Sequence, residues 1–484
     1  MGRPTGLTVT VTASNDSPID DTDCFDLIII GSGSGNHIPA FLDGHRIAIV
    51  ERDVFGGTCL NKGCIPSKMF VLPADRVVEA EEARSLGVDL EFRGADWLAI
   101  RDRIFGRIDP IAAGGREYRA ERCPNITLIE GTARFVPPGD DGVHRLDVDG
   151  RRIAAPHVLV AAGSRPVVPP IAGLVETGFH TSDSIMRLDA RPERLGIIGG
   201  GYIAAEMGHV FSGLGSRVVL FNRSDRLLGA HDREVAERFT AAFGERVDLR
   251  LDHLPTRVER RGASIVVHCA GEQVEVDALL VATGREPNSD LLDCDVVGIA
   301  MRSHGTIVVD EHQRTSVPGI WAVGDVANDL HLKHVANAEA DTAFWNIAHP
   351  DDLRSTDHRV IPAAVFSHPQ VASVGLTEQA AEAAGLDVVI GRRDYAGTGY
   401  GWALGDTTGF AKVIVDRTSG LILGGHVMGP QASTLVQPVV QAMQFGQTAA
   451  TVARDTYWIH PALTEVIENA LLDAVERLEA PPAG

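Results

Sequence analysis

Residues 25–51 read FDLIIIGSGSGNHIPAFLDGHRIAIVE. A four-residue apolar run, LIII, enters a glycine-rich turn. A helix-sized segment follows, and then a second apolar run, IAIV, ends on Glu51. Apolar runs this short, with no polar alternation, are the mark of strands buried on both faces, so the stretch predicts a βαβ unit. Gly31, Gly33 and Gly35 allow a tight turn and close backbone approach to a pyrophosphate, whose charge suits a helix N-terminus. Glu51, some 20 residues on, is placed to hold a ribose hydroxyl pair. One position departs from the G-x-G-x-x-G pattern: Asn36 stands where a small residue is usual, so an amide must be accommodated there.

The signal recurs about 170 residues later. Residues 195–224, LGIIGGGYIAAEMGHVFSGLGSRVVLFNRS, give a strand, Gly199-x-Gly201-x-x-Ala204, a helix and a second strand. Two dinucleotide units in one chain predict electron traffic between two cofactors. At the end of its second strand, where an acid would favour NADH, this unit carries Asn222 and Arg223, then Arg226. Cations there suit the 2′-phosphate of NADPH rather than the free ribose of NADH. Two further pieces, LVAAGSRP (159–166) and LVATGREP (280–287), each close a strand on a glycine (Gly163, Gly284) and a basic residue, and they read as chain crossings between the units. GIWAVGDVA (319–327) puts Asp325 at a strand end, where a carboxylate can accept from a ribityl hydroxyl. After Val360 alternating strands mix with amphipathic helices and no glycine-rich turn occurs, which predicts a third, α+β unit ending in a helix that begins near Pro461.

The chain has 484 residues, 44% hydrophobic and 23% charged, which fits a soluble protein of several domains. A formal net charge of −21 argues against nucleic acid or an anionic membrane as partner. No apolar run approaches the ~18–20 residues that span a bilayer. Residues 1–23 lack the order of a secretory or mitochondrial leader and read as a mobile extension, so a cytoplasmic protein is expected.

In that reducing setting six cysteines do not make a disulfide scaffold. Two of them stand in GGTCLNKGCIPSK (56–68): Cys59 and Cys64. Zinc needs a second ligand pair, and none is spaced for it, so no metal site is expected. A staple across so few residues would restrain little of the unfolded chain. The redox reading is stronger. The pair precedes a helical segment whose positive end favours thiolate, and Lys68, one helical turn after Cys64, adds a cation. An acid–base partner is available in YWIHPALTE (457–465), where Glu465 can orient His460 and raise its basicity.

These motifs together resemble the pyridine nucleotide–disulfide oxidoreductases of the glutathione reductase and lipoamide dehydrogenase type, over roughly residues 25–475. Five segments are not generic to glutathione reductases: GSGSGN (31–36), IFGRIDPIA (104–112), LKHVANAEA (332–340), DHRVIPAAVFSHPQ (357–370) and YGWALGDTTG (400–409). The resemblance implies an α/β protein with two Rossmann-like domains and a C-terminal α+β dimerisation domain. The FAD domain would take residues 24–165 and 286–360, the NADPH domain 166–285, and the interface domain 361–484.

The resemblance also implies a reaction: NADPH reduces FAD, and a Cys59–Cys64 disulfide opens to reduce a small-molecule thiol disulfide. Cys64 would be the flavin-side thiol and Cys59 the interchange thiol, with His460 and Glu465 serving the other subunit of a homodimer. Lys68 would pair with Glu206 beside the flavin, and Tyr202 would cover the nicotinamide pocket. Gly57, Thr58, Gly163 and Asp325 join the FAD set, and Gly201 and Gly284 the NADPH set. The family's usual second arginine falls on Gly229, which weakens the NADPH preference. Glutathione, lipoamide or a related disulfide are alternative substrates within the family. A flavin redox sensor without turnover is the contrasting class. Tyr400 and Trp402 are candidates to stack on a sugar.

Overall fold

The computed structural model describes residues 22–139 and 141–480. The expected extension lies outside the described residues up to position 21. Asp23 is not part of it: Asp23–Cys24 is a short strand paired in parallel with Ile153 and Ala154.

Strand Leu27–Ile30 is the first buried strand of the first unit and stands mid-sheet, with Ile47–Glu51 and Ile126–Glu130 on one side and His157–Val160 and Ile320–Ala322 on the other, all parallel. Its four residues are buried because both faces are covered. Leu27 and Ile29 pack with Ala340, Phe344 and Ile347 of helix Lys333–Ala348. Ile28 and Ile30 pack with Phe135, Leu146 and Ile153 of a small, mainly antiparallel sheet.

The crossover after the first glycine turn is not the α-helix that the spacing predicts. It consists of two 3₁₀ turns, Ser34–Asn36 and Ala40–Leu42. Pro39 between them is extended, with ψ 152°, and proline disfavours helical backbone in the residue before it. Asn36 therefore does not sit in a helix–strand contact. Arg119, from helix Trp97–Glu121, donates to Asn36 Oδ1 at 2.8 Å and to its carbonyl at 2.7 Å.

In the second unit strand Arg194–Ile198 lies between Arg217–Phe221 and Ala278–Val281, again parallel. Here the turn does feed an α-helix, Tyr202–Gly213. That helix packs on helix Cys64–Glu82 so closely that a Cβ on Gly213 would stand 3.0 Å from Ala74 Cβ. Trp97 seals the contact, 5.0 Å from the Phe70 ring and 5.2 Å from Phe211. Ser164–Pro166 and Arg285–Pro287 pair with each other, so the two chain crossings form one antiparallel ladder.

The third unit is a five-stranded antiparallel sheet from residues 362–428, backed by helix Glu465–Glu479, which buries Val466, Ile467, Ala470, Leu471, Ala474 and Val475. This helix starts at Glu465, four residues later than the proline signal placed it. Residues 461–464 form a turn closed by Ala462 N–H donating to Glu465 Oε2 at 3.2 Å. The second and third units are joined by Lys412, whose fully buried ammonium donates to Asp232 Oδ1 at 2.9 Å and to Glu378 Oε2 at 2.5 Å. Among the described residues no helix is long and apolar enough to cross a membrane.

Candidate active site

A single cleft runs from Glu51 and the first glycine turn, past Gly163 and Asp325, to Cys59, Cys64, Lys68 and Tyr202. Its narrow end is built from absent side chains. Gly31, at φ 103°, has the Ala161 carbonyl oxygen 2.3 Å from where a Cβ would lie, and a Cβ on Gly57 would meet Gly33 Cα at 2.7 Å. Gly35 does not reach the cleft; it is buried against Ile29 and Ala161 and serves packing. Glu51 faces the cleft and also locks the turn, accepting from Ser32 N–H at 2.9 Å, Ser32 Oγ at 2.6 Å and Asp53 N–H at 2.9 Å.

Midway, Asp325 accepts from Ser164 Oγ at 2.6 Å. The turn that presents Asp325 is held by buried Glu339, which accepts from Gly324 N–H at 2.7 Å and from Asn328 Nδ2 at 2.9 Å. Two carboxylates about a glycine-lined cradle suit an extended dinucleotide, the adenosine ribose at Glu51 and the ribityl chain at Asp325. The residues present thus fit FAD.

Cys59 lies on the short helix Gly57–Asn61, and Cys64 is the first residue of helix Cys64–Glu82. The unsatisfied N–H groups of a 19-residue helix favour negative charge at Cys64. Interaction with the Cys59 thiol brings Cys64 down to about 7, with further help from Lys68 and against burial. Cys59 is raised by its interaction with Cys64 and by burial. The pair thus favours charge on Cys64 over Cys59. Lys68 Nζ donates to both oxygens of Glu206, which also accepts from Phe366 N–H at 3.1 Å.

Tyr202 opens the helix after the second glycine turn and looks into the same cleft. Burial raises its phenol to about 12, so it stays neutral. Gly199 repeats the role of Gly31, with the Ala282 carbonyl oxygen 2.1 Å from its would-be Cβ. Gly199, Gly201, Gly284, Arg223 and Arg226 do not line the cleft. The two arginines differ. Arg226 is held by Asp225 at 2.8 Å and Glu237 at 3.1 Å, whereas exposed Arg223 has no ion-pair partner among the described residues. Asn222 is structural: its Nδ2 donates to the carbonyls of Ser224 and Arg226.

His460 Nδ1 lies 2.7 Å from Glu465 Oε1, and the carboxylate raises the imidazole pKa. The dyad is not on the cleft wall of its own chain. His460 is 76% exposed, beside exposed Tyr457 and Ile459. Tyr400 and Trp402 stand on helix Gly399–Leu404, whose first residue would place a Cβ 3.7 Å from Pro461 Cβ. The start of that helix thus adjoins the turn after His460.

Sequence reading missed Lys333. It opens helix Lys333–Ala348, lines the cleft, and donates to Ser34 Oγ at 2.9 Å. It has no motif of its own; only the fold brings position 333 to position 34.

Residues 25–341 match the model of the pyridine nucleotide-disulphide oxidoreductases, and residues 361–471 that of their dimerisation domain. The chain belongs to this oxidoreductase family. Mycothione reductase from Mycobacterium tuberculosis is 47% identical over 459 residues, 93% of this chain and 99% of that one. Glutathione reductase from Burkholderia cepacia is 36% identical over 91% and 97% of the two chains. Among solved structures, the HOCl-induced flavoprotein disulfide reductase RclA from Escherichia coli superposes with a TM-score of 0.81 at 29% identity, covering 93% of this chain and 99% of that one. As a member of this family the protein is a flavoprotein disulfide reductase, with FAD and NADPH as its cofactors. Its C-terminal unit is a dimerisation domain, and the family assembles as a homodimer.

Proposed function

We propose that the chain reduces mycothiol disulfide to mycothiol through Cys59 and Cys64. The observation that carries this reading is the 47% identity to a mycothione reductase across almost the whole of both chains. The five segments that depart from glutathione reductases support it. The domain limits follow the family: residues 24–165 with 286–360 hold FAD, 166–285 hold NADPH, and 361–484 form the subunit interface.

Gly31, Gly33, Glu51, Gly57, Thr58, Gly163 and Asp325 would hold FAD, with Lys68, fixed by Glu206, at the cysteine end of the same cleft. The bound flavin would supply the transfer of electrons from the nicotinamide to the Cys59–Cys64 disulfide. Tyr202 covers the nicotinamide pocket, with Gly199, Gly201, Gly284 and Arg223 on the rest of NADPH and Arg226 in a lesser part.

His460 of the partner subunit takes the proton from Cys59. The resulting thiolate attacks one substrate sulfur, the substrate S–S bond breaks, and a mixed disulfide forms at Cys59. The departing thiolate takes the proton back from the imidazolium. Cys64 thiolate then attacks Cys59 Sγ, re-forming the Cys59–Cys64 bond and releasing the second thiolate, which solvent protonates. Glu465 keeps the imidazole oriented and basic. The exposure of His460, away from the cleft of its own chain, supports a site completed across the dimer.

The test is kcat/KM with NADPH for mycothiol disulfide, glutathione disulfide and lipoamide in parallel. Mycothiol disulfide is expected to lead by at least tenfold; a faster turnover of either competitor refutes the assignment. Mixing inactive Cys59→Ser and His460→Ala subunits should restore roughly a quarter of parent activity, the share of intact sites in randomly reassorted dimers. No recovery after proven subunit exchange would place the dyad in its own chain's site.

A further inference from the structure

The turn at Gly324–Asp325 is fixed from behind by one helix, Lys333–Ala348. Gly324, at φ 73°, lies so close to this helix that a Cβ on it would stand 3.1 Å from Ala336 Cβ. One helical turn further on, Glu339 Oε2 accepts from Gly324 N–H at 2.7 Å, and both Glu339 oxygens accept from Asn328 Nδ2 at 2.9 Å. The Asp325 side chain is held separately: its Oδ2 accepts from Ser164 Oγ at 2.6 Å, and Ser164 Oγ accepts from Arg285 Nε at 2.7 Å. Gly324 and Asn328 offer Glu339 only neutral donors. One group within ion-pair distance of it among the described residues can carry positive charge: His358, whose Nε2 lies 2.9 Å from Glu339 Oε1. Glu339 is 1% exposed and His358 40%. His358 does not line the cleft. It stands in the linker between helix Lys333–Ala348 and strand Pro362–Val365, and His334 ties the end of that linker to the same helix by donating to the Pro362 carbonyl at 3.0 Å.

We propose that His358 is a positioning residue for FAD: as the counter-ion of Glu339 it fixes the Gly324–Asp325 turn, and so governs how firmly the cofactor is retained. This rests on the reading of Asp325 as a flavin contact. A buried carboxylate is costly to keep ionised unless a cation and hydrogen bonds meet it. Burial pushes the Glu339 carboxyl up, and the Gly324 N–H, the His358 charge and Asn328 act against it. Without the imidazole, Glu339 stays buried most cheaply by taking up a proton. A carboxylic acid accepts less strongly from Gly324 N–H than a carboxylate does, and it presents an O–H donor that Asn328 Nδ2 cannot accept. The turn would then lose its backbone anchor. Ser164 does not replace that anchor, because it holds the side chain of Asp325 and not the backbone of the turn.

The test is the rate at which FAD leaves the purified holoenzyme after high dilution, read as free flavin passing an ultrafiltration membrane. His358→Ala should speed release by about tenfold or more, the size of effect that loss of a hydrogen bond to a charged group gives. His358→Lys, which keeps a cation, should hold FAD as the parent does. In a Glu339→Gln background, where no charge remains to be balanced, His358→Ala should add nothing. Unchanged release in His358→Ala overturns the proposal. So does an equal increment in both backgrounds, which would make His358 a packing residue. Should Glu339→Gln shed its flavin during purification, His358→Lys decides: release at the His358→Ala rate overturns the proposal. Asp325→Ala should also speed release. If it does not, the underlying assignment of Asp325 as a flavin contact falls, whatever the His358 variants do.

Discussion

Lys68 Nζ stands 2.7 Å from Glu206 Oε1 and 2.8 Å from Oε2, joining the helix that carries Cys64 to the helix that follows the second glycine turn. Glu206 is buried and Lys68 about one-third exposed. One ion pair therefore spans the two nucleotide units next to the redox sulfur.

Glu206→Ala removes one partner of this pair and the acceptor of Phe366 N–H. Breaking a buried pair from one side costs ~3–5 kcal/mol, and the exposure of Lys68 puts this one near the lower end. The midpoint of urea unfolding should fall accordingly. A midpoint equal to the parent's would mean that the pair does not hold the units together.

The two partners pull Cys64 in opposite directions. Lys68 lowers its pKa and Glu206 raises it. Glu206→Gln should therefore take Cys64 below about 7, and Lys68→Met above it. Cys59→Ala, which removes the interacting thiol, should also raise it. Alkylation of Cys64 across pH reads all three. A common direction for Glu206→Gln and Lys68→Met would contradict the electrostatic account.

Glu465 raises the pKa of His460, so the imidazolium persists to higher pH than in a free histidine. The neutral form is needed to take the proton from Cys59, so activity rises as pH rises through the His460 pKa. Glu465→Gln lets that pKa return toward ~6.5, so the acid limb of the kcat/KM profile should move to lower pH. A limb that stays where it is would assign it to another group.

Among the described residues Arg223 has no ion-pair partner, whereas Arg226 is occupied by Asp225 and Glu237. A charge-assisted contact to a phosphate is worth ~1.5–3 kcal/mol, so Arg223→Ala should raise KM for NADPH by about tenfold or more. Arg226→Ala should raise it less, and neither should alter KM for NADH. Equal effects on both nucleotides would remove the 2′-phosphate from the explanation.

Much of this site was legible before any coordinates because its chemistry is written in short local motifs. Glycines at 31 and 199 face the carbonyls of Ala161 and Ala282 at distances no side chain tolerates, so each turn must be spelled with glycine. Cys64 at a helix start and Glu465 five residues after His460 likewise interact along the chain. The pairing of Lys68 with Glu206 was foreseen only through family resemblance, since 138 residues separate them. What stayed hidden was decided by partners far apart in sequence. Arg119 answers Asn36 across 83 residues, and Lys333 meets Ser34 across 299. The first crossover departs from the expected helix because Pro39, in extended backbone, interrupts a gap of helical length. Arg226 looked like a free cation because the two acids around it, one adjacent and one eleven residues on, left no trace of which way it would turn.

Lys412 gives the molecule a fixed gauge. Its ammonium is buried between the second and third units with Asp232 and Glu378 as counter-ions. Any hinge opening at that seam would strand an unpaired charge in the interior, at a cost of several kcal/mol. The spacing between the face that meets the nucleotide and the face that meets the sulfurs is thus set when the chain folds. Small molecules come and go on either side of a frame that holds still.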